Sequence, residues 1–353
     1  MFGGYLGMST MQDVAKRAHV SVTTVSRVLN GDSRVKADTR ARVERVMAAM
    51  GYQPNLVARS LRRQSSHVIG LIVDTLDNPF TAELSQALTA HLSQAGYQLI
   101  LADTERQSQH GPAMLRMLAQ RGVDGILFAA GWDKDPEPLA VECGILQRNG
   151  IPTIIVGNIL QSVPSIAVDH YGGTRKAVDY LYQLGHKHIA FISGAHETET
   201  SRLRRQGFIE ATRTLGIEQA LVFSSYGSPK RASQIVRELV SSSPLITAIV
   251  AASDYVAIGV LHGLYNLGLN VPRDMSVFGF DNVKMSQFLC PALTTIDGEI
   301  DKLAHQAWTM IYELMQDPMA HNNPEVLAPH VVVRESTYRP RGSKFIEVPH
   351  NTI

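Results

Sequence analysis

Apolar residues near the start of the chain recur every three or four positions, which is the spacing of amphipathic helices. This spacing predicts a helix over about 11–18, a second over 22–30 and a third over about 37–50. Ser21 is a favourable N-cap for the second helix, and Asn30-Gly31 is a helix stop. Three such helices form a minimal unit of the helix-turn-helix kind. Its predicted core positions are Met11, Val14, Ala15, Ala18, Val25, Val28, Leu29, Val43, Val46, Met47 and Met50.

From position 67 onward, short apolar runs alternate with helical stretches such as 81–95 and 175–184. The alternation is typical of parallel, doubly wound sheets, whose ligands bind beyond the carboxyl ends of the strands. The apolar runs predict strands that are buried on both faces, at 68–73, 98–102, 125–129, 154–156, 189–192, 248–251 and 276–280.

The polar face of the second predicted helix fits a DNA groove. Val22, Thr23, Ser26 and Arg27 lie opposite its apolar positions. In the major groove, Val22 can contact thymine methyl groups, while Thr23 and Arg27 can reach the donors and acceptors of base edges. The sequence therefore favours this helix as a reader of duplex DNA.

Charge is unevenly distributed along the chain. Residues 1–66 contain eleven Lys or Arg against four Asp or Glu, a net charge of +7, whereas the whole chain carries +1. The remainder therefore carries −6. A basic segment on an acidic body is typical of a protein that binds a polyanion at one end.

The composition, 44% hydrophobic and 18% charged, is that of an ordinary globular protein of two to three domains. No apolar run approaches the roughly 18 residues of a membrane span, so we expect no membrane partner. Residues 1–7 lack the features of a secretory signal, and Met8 is an alternative start. The two cysteines, Cys143 and Cys290, are expected as buried thiols and indicate a reducing compartment, so we expect a cytoplasmic protein.

Motifs of cofactor chemistry are missing from the sequence. Neither a Gly-x-Gly-x-x-Gly run after a predicted strand nor a phosphate-binding Gly-x-x-x-x-Gly-Lys-Ser/Thr loop occurs, so we expect no cofactor. His186-Lys-His188 allows a metal interpretation, but a plain loop before a strand is the simpler one, and we expect no metal site. Trp132 and Trp308 are interpreted as packing residues.

Two stretches of the chain resemble one family closely. Met11-Gln-Asp-Val-Ala-Lys-Arg-Ala-His-Val-Ser-Val-Thr-Thr-Val-Ser-Arg-Val-Leu-Asn30, followed by Gly51-Tyr-Gln-Pro-Asn-Leu-Val-Ala-Arg-Ser-Leu61, resembles the signature of the lactose/galactose repressor (LacI/GalR) family. The resemblance continues through Asp77-Asn-Pro-Phe80 and covers about 8–341. It implies an N-terminal all-α helix-turn-helix head and an α/β two-lobed, periplasmic-binding-protein-like (type I) body. The implied function is that of a sequence-specific DNA-binding transcription regulator, expected to be a repressor under small-molecule control and not an enzyme.

The resemblance also divides the chain into segments. These are a disordered extension (1–7), the helix-turn-helix domain (8–53), a hinge helix or linker (54–66), an effector-binding and dimerisation domain (67–341) and a tail (342–353). Within the domain over 67–341, lobe one is expected at about 67–167 and 298–328, and lobe two at about 168–297 and 329–341.

By resemblance, Val22 and Thr23 are the main base-reading pair. The hinge helix, 55–61, is expected to pair with its copy in a homodimer on a pseudo-palindromic operator, with Leu61 wedged into the minor groove. A plain basic linker is the alternative for this segment. The full set of expected DNA-binding residues is Val22, Thr23, Thr24, Ser26, Arg27, Asn30, Asn55, Ala58, Arg59 and Leu61.

The resemblance also implies an effector site between the lobes. An arginine and an aspartate can share sugar hydroxyls under an aromatic ring, so a sugar or sugar acid is the first candidate effector, and a nucleoside or purine is the second. The alternatives are a surface cation for Arg204, a helix N-cap for Asp254, a core residue for Phe80 and a loop turn for Asp281. The expected effector-binding residues are Asn78, Phe80, Thr81, Asn158, Thr200, Arg204, Tyr226, Ser253, Asp254 and Asp281.

Two other functions share parts of this pattern. A solute-binding protein for transport has the same kind of body, but the DNA-binding signature and the lack of a signal peptide argue against it. An α/β enzyme such as a sugar kinase or dehydrogenase needs a nucleotide motif or a catalytic acid–base pair, and neither is found in the sequence.

Overall fold

The computed structural model describes residues 10–29, 31–52, 65–132, 135–194, 198–217, 219–242, 245–320 and 323–340. Contacts divide the chain into an amino-terminal unit, Met1–Ser66, and a body, His67–Ile353. The predicted extension over 1–7, the hinge helix over 55–61 and the tail over 342–353 lie outside the described residues.

The amino-terminal unit consists of three helices, α1 (Met11–Arg17), α2 (Val22–Leu29) and α3 (Ala37–Ala49). A capping box starts α1, because Thr10 and Asp13 each accept a hydrogen bond from the other's backbone N–H. All three predicted helices are present, and their apolar faces form one small core. Its most deeply buried members are Val14, Ala15, Ala18, Val25, Val28 and Val43.

The described part of the body contains two six-stranded sheets. The strands are β1 (Val68–Val73), β2 (Gln98–Asp103), β3 (Gly125–Ala129), β4 (Thr153–Val156), β5 (Ser165–Val168), β6 (His188–Ser193), β7 (Gln219–Ser224), β8 (Ala248–Ala251), β9 (Ser276–Asp281), β10 (Thr294–Asp297), β11 (Glu325–Leu327) and β12 (His330–Val332). The helices are α4 (Pro79–Gln94), α5 (Gly111–Gln120), α6 (Glu137–Arg148), α7 (His170–Gln183), α8 (Glu199–Thr214), α9 (Pro229–Ser242), α10 (Asp254–Asn266) and α11 (Ile300–Gln316).

The first sheet, which we call lobe one, has the strand order β11-β5-β4-β3-β1-β2 and is parallel throughout. Helices α4 and α11 cover one face through residues such as Leu88 and Ile311. Helices α5 and α6 cover the other face through Leu115 and Leu146. Both faces of the sheet are therefore buried, as the continuous apolar runs predict.

The second sheet, lobe two, has the order β12-β10-β9-β8-β6-β7. All its pairings are parallel except that of β12 with β10. Helices α9 and α10 cover one face through Ile235 and Val260, and α7 and α8 cover the other through Leu181 and Phe208. The predicted class of parallel, doubly wound sheets is confirmed, with one antiparallel edge strand.

The chain passes between the lobes in three segments. These lie between β5 and α7, between β10 and α11, and between β11 and β12. The predicted lobe boundaries at 167/168, 297/298 and 328/329 fall in or directly beside these segments. Crossing segments of this kind form the hinge where two lobes rotate against each other.

At a few positions the sequence-based prediction was wrong or missed an element. Strand β2 is not buried on both faces, because it is an edge strand with alternating exposure. The short strands β5, β10 and β11 and the edge strand β7 were not predicted. Cys143 is buried as expected, but Cys290 is exposed, since it lies in the loop before β10. Trp308 packs between Tyr97 and Tyr312, as predicted.

Within the described ranges, no helix is long and apolar enough to cross a membrane. His186 is a structural residue of lobe two and not a metal ligand, because both ring nitrogens have protein partners. Its Nδ1 lies 2.8 Å from Thr247 Oγ1, and its Nε2 lies 2.8 Å from the carbonyl oxygen of Tyr338. The ring therefore ties the last described segment of the chain to the strand β8 region.

Burial lowers the pKa of His186 to about 4. In the unfolded chain a histidine titrates near pH 6.5, so below that pH the unfolded chain takes up a proton that the folded chain does not. Stability should therefore fall as the pH drops from about 6.5 to 4. His186→Gln should weaken this fall by up to about 3 kcal/mol, as measured by urea unfolding at several pH values. His262→Gln, at an exposed histidine, is the control, and identical acid slopes for His186→Gln and the parent protein would exclude this role.

Candidate functional site

Helix α2 carries the exposed polar face that the sequence predicts. Val22 is 41% exposed, Thr23 and Arg27 are exposed, and Ser26 is half-buried. Ser21 caps the helix, since its Oγ accepts from the backbone N–H of Thr24 at 3.1 Å. This face is small in profile and carries one long cation, which suits insertion into the major groove.

Of the other predicted DNA contacts, Thr24 is within the described residues and the rest are not. Thr24 is half-buried, and its hydroxyl lies 2.9 Å from Ser21 Oγ, so it takes part in the helix cap. The remaining predicted contacts, Asn30, Asn55, Ala58, Arg59 and Leu61, lie outside the described residues.

A cavity of about 700 Å³ lies in the body between lobe one and lobe two. Its volume is in the range of small-molecule sites, roughly 300–1,000 Å³. Its walls are formed where the strands of both sheets end, which is where ligands of such folds bind. Nine of the ten predicted effector residues line it, namely Asn78, Phe80, Thr81, Asn158, Thr200, Arg204, Tyr226, Ser253 and Asp281.

Lobe one contributes residues from the loops that follow β1, β2, β3 and β4. Asn78 is the N-cap of α4, accepting from the backbone N–H of Phe80 at 3.2 Å, and Pro79 follows at the first helical position. This cap fixes the first turn of α4, which brings Phe80 and Thr81 to the cavity wall. Phe80 also packs against the core of lobe one. It is therefore both a cavity residue, as predicted, and a core residue, which was the alternative.

In lobe two, a buried ion pair forms part of the cavity wall. Arg204 Nη2 lies 2.9 Å from Asp281 Oδ1, and the two residues are 7% and 4% exposed. Arg204 also donates to the carbonyl oxygen of Ala252, and its guanidinium lies 3.6 Å from the centre of the Phe280 ring. The alternative of a surface cation for Arg204 is therefore wrong. Paired in this way, the buried guanidinium and carboxylate offer donors and an acceptor to a ligand.

His170 is an uncharged residue that contacts Arg204 of this ion pair. Its Nδ1 lies 3.3 Å from Arg204 Nη2 and must accept, because a guanidinium only donates. Its Nε2 therefore carries the proton and donates to the carbonyl oxygen of Gly157 at 2.7 Å. Burial and then the Arg204 charge lower the pKa of His170 to about 3, so the ring is uncharged. Since His170 follows the first lobe-crossing segment, the ion pair is linked to the hinge.

Burial raises the pKa of Asp281 to about 6, although the Arg204 guanidinium acts in the opposite direction. Burial also lowers the pKa of Arg204, against the attraction of Asp281. Desolvation is thus the larger effect at both groups, and each charge depends on the other for compensation.

Asp254 requires a correction, because it does not line the cavity. Its side chain is fully buried beneath the wall, where Oδ1 accepts from Thr295 Oγ1 at 2.6 Å and Oδ2 accepts from the backbone N–H of Val283 at 2.9 Å. The N-cap alternative is also wrong for Asp254. Ser253 is the N-cap of α10, accepting from the backbone N–H of Val256 at 3.2 Å.

Several cavity residues were not predicted from the sequence. Asp74 follows β1 directly and accepts from the backbone N–H of Gly131 at 2.7 Å. Its place after a buried strand was a usable signal that the prediction overlooked. Trp132 packs in the core of lobe one as predicted, but it also lines the cavity. Arg106 comes from a loop with left-handed backbone (φ 61°), and no local pattern indicates its direction.

The two lobes are bridged around the cavity by hydrogen bonds. Thr200 Oγ1 donates to Asn158 Oδ1 at 2.7 Å. Arg106 Nη1 donates to the carbonyl oxygen of Tyr226 at 3.3 Å. The backbone N–H of Lys284 donates to Glu83 Oε1 at 2.7 Å. These bridges join loops of opposite lobes, so rotation of the lobes would break them.

Comparisons with known proteins agree with this architecture. Profiles of "Bacterial regulatory proteins, lacI family" and of the "Periplasmic binding protein-like domain" match residues 10–55 and 178–337. The transcriptional repressor PurR of Pasteurella multocida is 31% identical over 93% of this chain and 98% of its own. The crystal structure of the Lac repressor dimer bound to operator and the anti-inducer ONPF matches with a TM-score of 0.84 and 27% identity, over 94% of this chain and 99% of that one. The complex of the regulator CelR with cellobiose matches with a TM-score of 0.68 and 28% identity, over 93% of this chain and 99% of that one.

A helix-turn-helix unit and a two-lobed ligand-binding body together define a DNA-binding transcription regulator under small-molecule control. The chain belongs to the LacI family of bacterial regulatory proteins. This confirms the resemblance found in the sequence, together with the periplasmic-binding-protein-like (type I) body. The matched relatives are transcriptional repressors and not enzymes, so the enzyme alternative is not supported.

Proposed function

We propose that the cavity binds a sugar or sugar acid and that its occupancy controls the binding of operator DNA. The observation that carries the proposal is the ion pair between Arg204 and Asp281, which lines a cavity enclosed by both lobes. Sugar hydroxyls both donate and accept hydrogen bonds, so they match a site with a guanidinium, carboxylates and amides. CelR, a similar regulator, is known in complex with cellobiose.

A nucleoside or purine is the second candidate effector. Aromatic side chains line the cavity from both lobes, with Phe80 and Trp132 on lobe one and Tyr226 and Tyr255 on lobe two. Aromatic rings stack favourably on the flat face of a base. Stacking of a ligand on these rings would favour a nucleoside or purine, whereas hydrogen bonds to hydroxyl groups alone would favour a sugar or sugar acid.

We further propose a homodimer that binds a pseudo-palindromic operator in the cytoplasm. Two-fold symmetry of a helix-turn-helix dimer requires matching half-sites in the DNA. The Lac repressor, with a TM-score of 0.84 against this chain, is a dimer on its operator. In this arrangement Val22, Thr23 and Arg27 contact base edges, and the segment over 54–66 connects them to the body.

The proposed control is a shift between two arrangements of the lobes. An effector that touches both lobes gains its full set of contacts in one arrangement only, so it increases the population of that arrangement. The linkage between effector and operator must be reciprocal, with a coupling free energy of about 1–3 kcal/mol. Effector should therefore change operator affinity by the same factor by which operator changes effector affinity.

A thermal-shift screen of sugars, sugar acids, nucleosides and purines tests the proposal. A compound at 100 times its dissociation constant stabilises the protein by about 2.7 kcal/mol. Asp281→Asn should abolish this shift, because the change removes a cavity carboxylate and the anionic partner of Arg204. It should leave operator binding intact, because helix α2 belongs to the separate amino-terminal unit. Glu142→Gln, at another buried acid that is paired with an arginine (Arg116), is the matched control and should keep the shift. Equal shifts in Asp281→Asn and the parent protein would remove Asp281 from the site.

A further inference from the structure

The segment that carries Asp281 has an unusual backbone. Asp281 has a φ of 112° and Asn282 has a φ of 56°, so two consecutive residues other than glycine lie outside the ordinary conformations of L residues. Such conformations persist only where the surrounding structure imposes them. The direction of the Asp281 carboxylate into the cavity depends on this backbone.

One contact that holds the segment comes from Asp254. Its Oδ2 accepts from the backbone N–H of Val283 at 2.9 Å, two residues beyond Asp281. Its Oδ1 is held in turn by Thr295 Oγ1 at 2.6 Å. The sequence leaves room for this carboxylate at Gly279, where a Cβ atom would collide with Asp254 Oδ1.

A second contact comes from Arg334, which follows β12. Its Nη2 donates to Asn282 Oδ1 at 2.6 Å, and its Nη1 donates to the carbonyl oxygen of Leu293 at 2.7 Å. Asn282 is held on its other side as well, because its Nδ2 donates to Asp297 Oδ2 at 2.9 Å. Asn282, within the strained backbone, and Val283, directly after it, are thus fixed from α10, from β10 and from the last described segment.

We propose that Asp254 and Arg334 are positioning residues, which hold the 281–283 segment so that the Asp281 carboxylate lies against Arg204 in the cavity. Neither side chain lines the cavity. Their effect on the effector is exerted through Asp281, so this inference rests on the proposed function of the cavity. Asp254, which was expected from the sequence to contact the effector directly, is thus assigned a positioning role.

The chemistry of Asp254 makes the inference testable by a conservative change. Burial, and then the nearby Asp281 charge, raise the pKa of Asp254 well above its usual range. Thr295 Oγ1 can donate to an ionised Asp254 or accept from a protonated one, because a hydroxyl does both, and the backbone N–H of Val283 donates to the other oxygen in either state. Asparagine has the same pattern as the protonated carboxyl, with an amide oxygen to accept and an amide N–H to donate. Asp254→Asn should therefore preserve the position of Asp281, and Asp254→Ala should not.

The first readout needs no ligand. Crystal structures of the full chain should show the distance from Arg204 Nη2 to Asp281 Oδ1 near 2.9 Å in the parent protein, as here. The distance should be unchanged in Asp254→Asn and in Thr212→Val. The threonine variant is the matched control, because it removes a buried hydroxyl of lobe two that bonds to the carbonyl oxygens of Phe208 and Ile209 and not to the 281–283 segment. In Asp254→Ala the ion pair should be broken.

If Asp254→Ala does not fold, Arg334→Met tests the same role from the other side, since it removes the bond to Asn282. An intact ion pair in Asp254→Ala, or in Arg334→Met where that variant replaces it, would overturn the proposal. A loss of the ion pair in Asp254→Asn as large as in Asp254→Ala would do so as well.

The second readout is calorimetric titration with cellobiose and with D-ribose. For a probe that binds the parent protein, Asp254→Ala should lower the affinity about 10- to 100-fold, the cost of a misplaced contact group, whereas Asp254→Asn and Thr212→Val should stay within about threefold. A merely structural residue would lower the melting temperature without changing the affinity of the folded protein. If neither sugar binds the parent protein, the proposed effector class loses support, while the distance between Arg204 and Asp281 still decides the positioning role.

Discussion

Replacing Arg204 by methionine should lower the free energy of unfolding by about 3–5 kcal/mol at pH 8. The reason is that Asp281 would keep its buried carboxylate and lose the only cation that the structure places in direct contact with it within the described residues. His170 and the carbonyl oxygen of Ala252 would lose a donor at the same time. Urea unfolding of the full chain measures the effect.

The cost of Arg204→Met should decrease as the pH is lowered. Burial already raises the pKa of Asp281 to about 6, and removal of the guanidinium removes the interaction that opposes this rise. A carboxyl whose folded pKa is raised takes up a proton in the folded state first, so acid relieves the buried charge. The difference between variant and parent protein should therefore be smaller at pH 5.5 than at pH 8. A difference that grows toward acid would contradict this explanation.

A double variant separates the charge from the packing. Arg204→Met with Asp281→Leu should recover much of the lost stability, because apolar residues often replace a buried ion pair at little cost. It should not recover binding of any effector, since the polar groups of the cavity wall are gone. If Arg204→Met alone costs less than about 1 kcal/mol at pH 8, the ion pair is not an important part of the folded state.

The sequence prediction of Arg204 came from the family resemblance, and the phase of α8 is consistent with its burial. Ser201, Arg204 and Phe208 recur at the three- and four-residue spacing of one face of α8, and all three are buried. Arg202 and Arg205 lie off this face and are more exposed. The strand ends were predictable from the pattern of apolar residues. A continuous apolar run marks a buried parallel strand, and the end of the run marks the edge of the sheet where ligands bind.

Asp254 shows where sequence reasoning fails. Ser253 and Asp254 both come within three residues of the end of β8, so a rule based on strand ends places both at the cavity. Which of them faces the ligand depends on where α10 begins and on the space beside Gly279, a contact between distant parts of the chain. Arg106 was missed for a similar reason, because its side chain reaches the opposite lobe at Tyr226, 120 residues away.

The preference for operator over random DNA should depend on Arg27 through a base contact, and not only through its positive charge. Arg27 is exposed on the same face of α2 as Val22 and Thr23, and a long guanidinium there can reach base edges in the major groove. Arg27→Ala should therefore weaken binding to the selected operator about 10- to 100-fold, the range of a lost base contact. Fluorescence anisotropy at fixed salt, with an operator selected from genomic DNA by the purified protein, measures this loss.

The decisive quantity is the ratio of operator affinity to random-DNA affinity. A residue that only contacts phosphate weakens both equally and lowers the salt dependence by about one charge, whereas a base-reading residue lowers the ratio. Arg42→Ala is the matched control, since Arg42 is an exposed arginine on α3 of the same unit and its loss changes the net charge identically. Arg42→Ala should leave the ratio unchanged. Parallel losses on both DNAs for Arg27→Ala would assign Arg27 to the backbone and leave Val22 and Thr23 as the base readers.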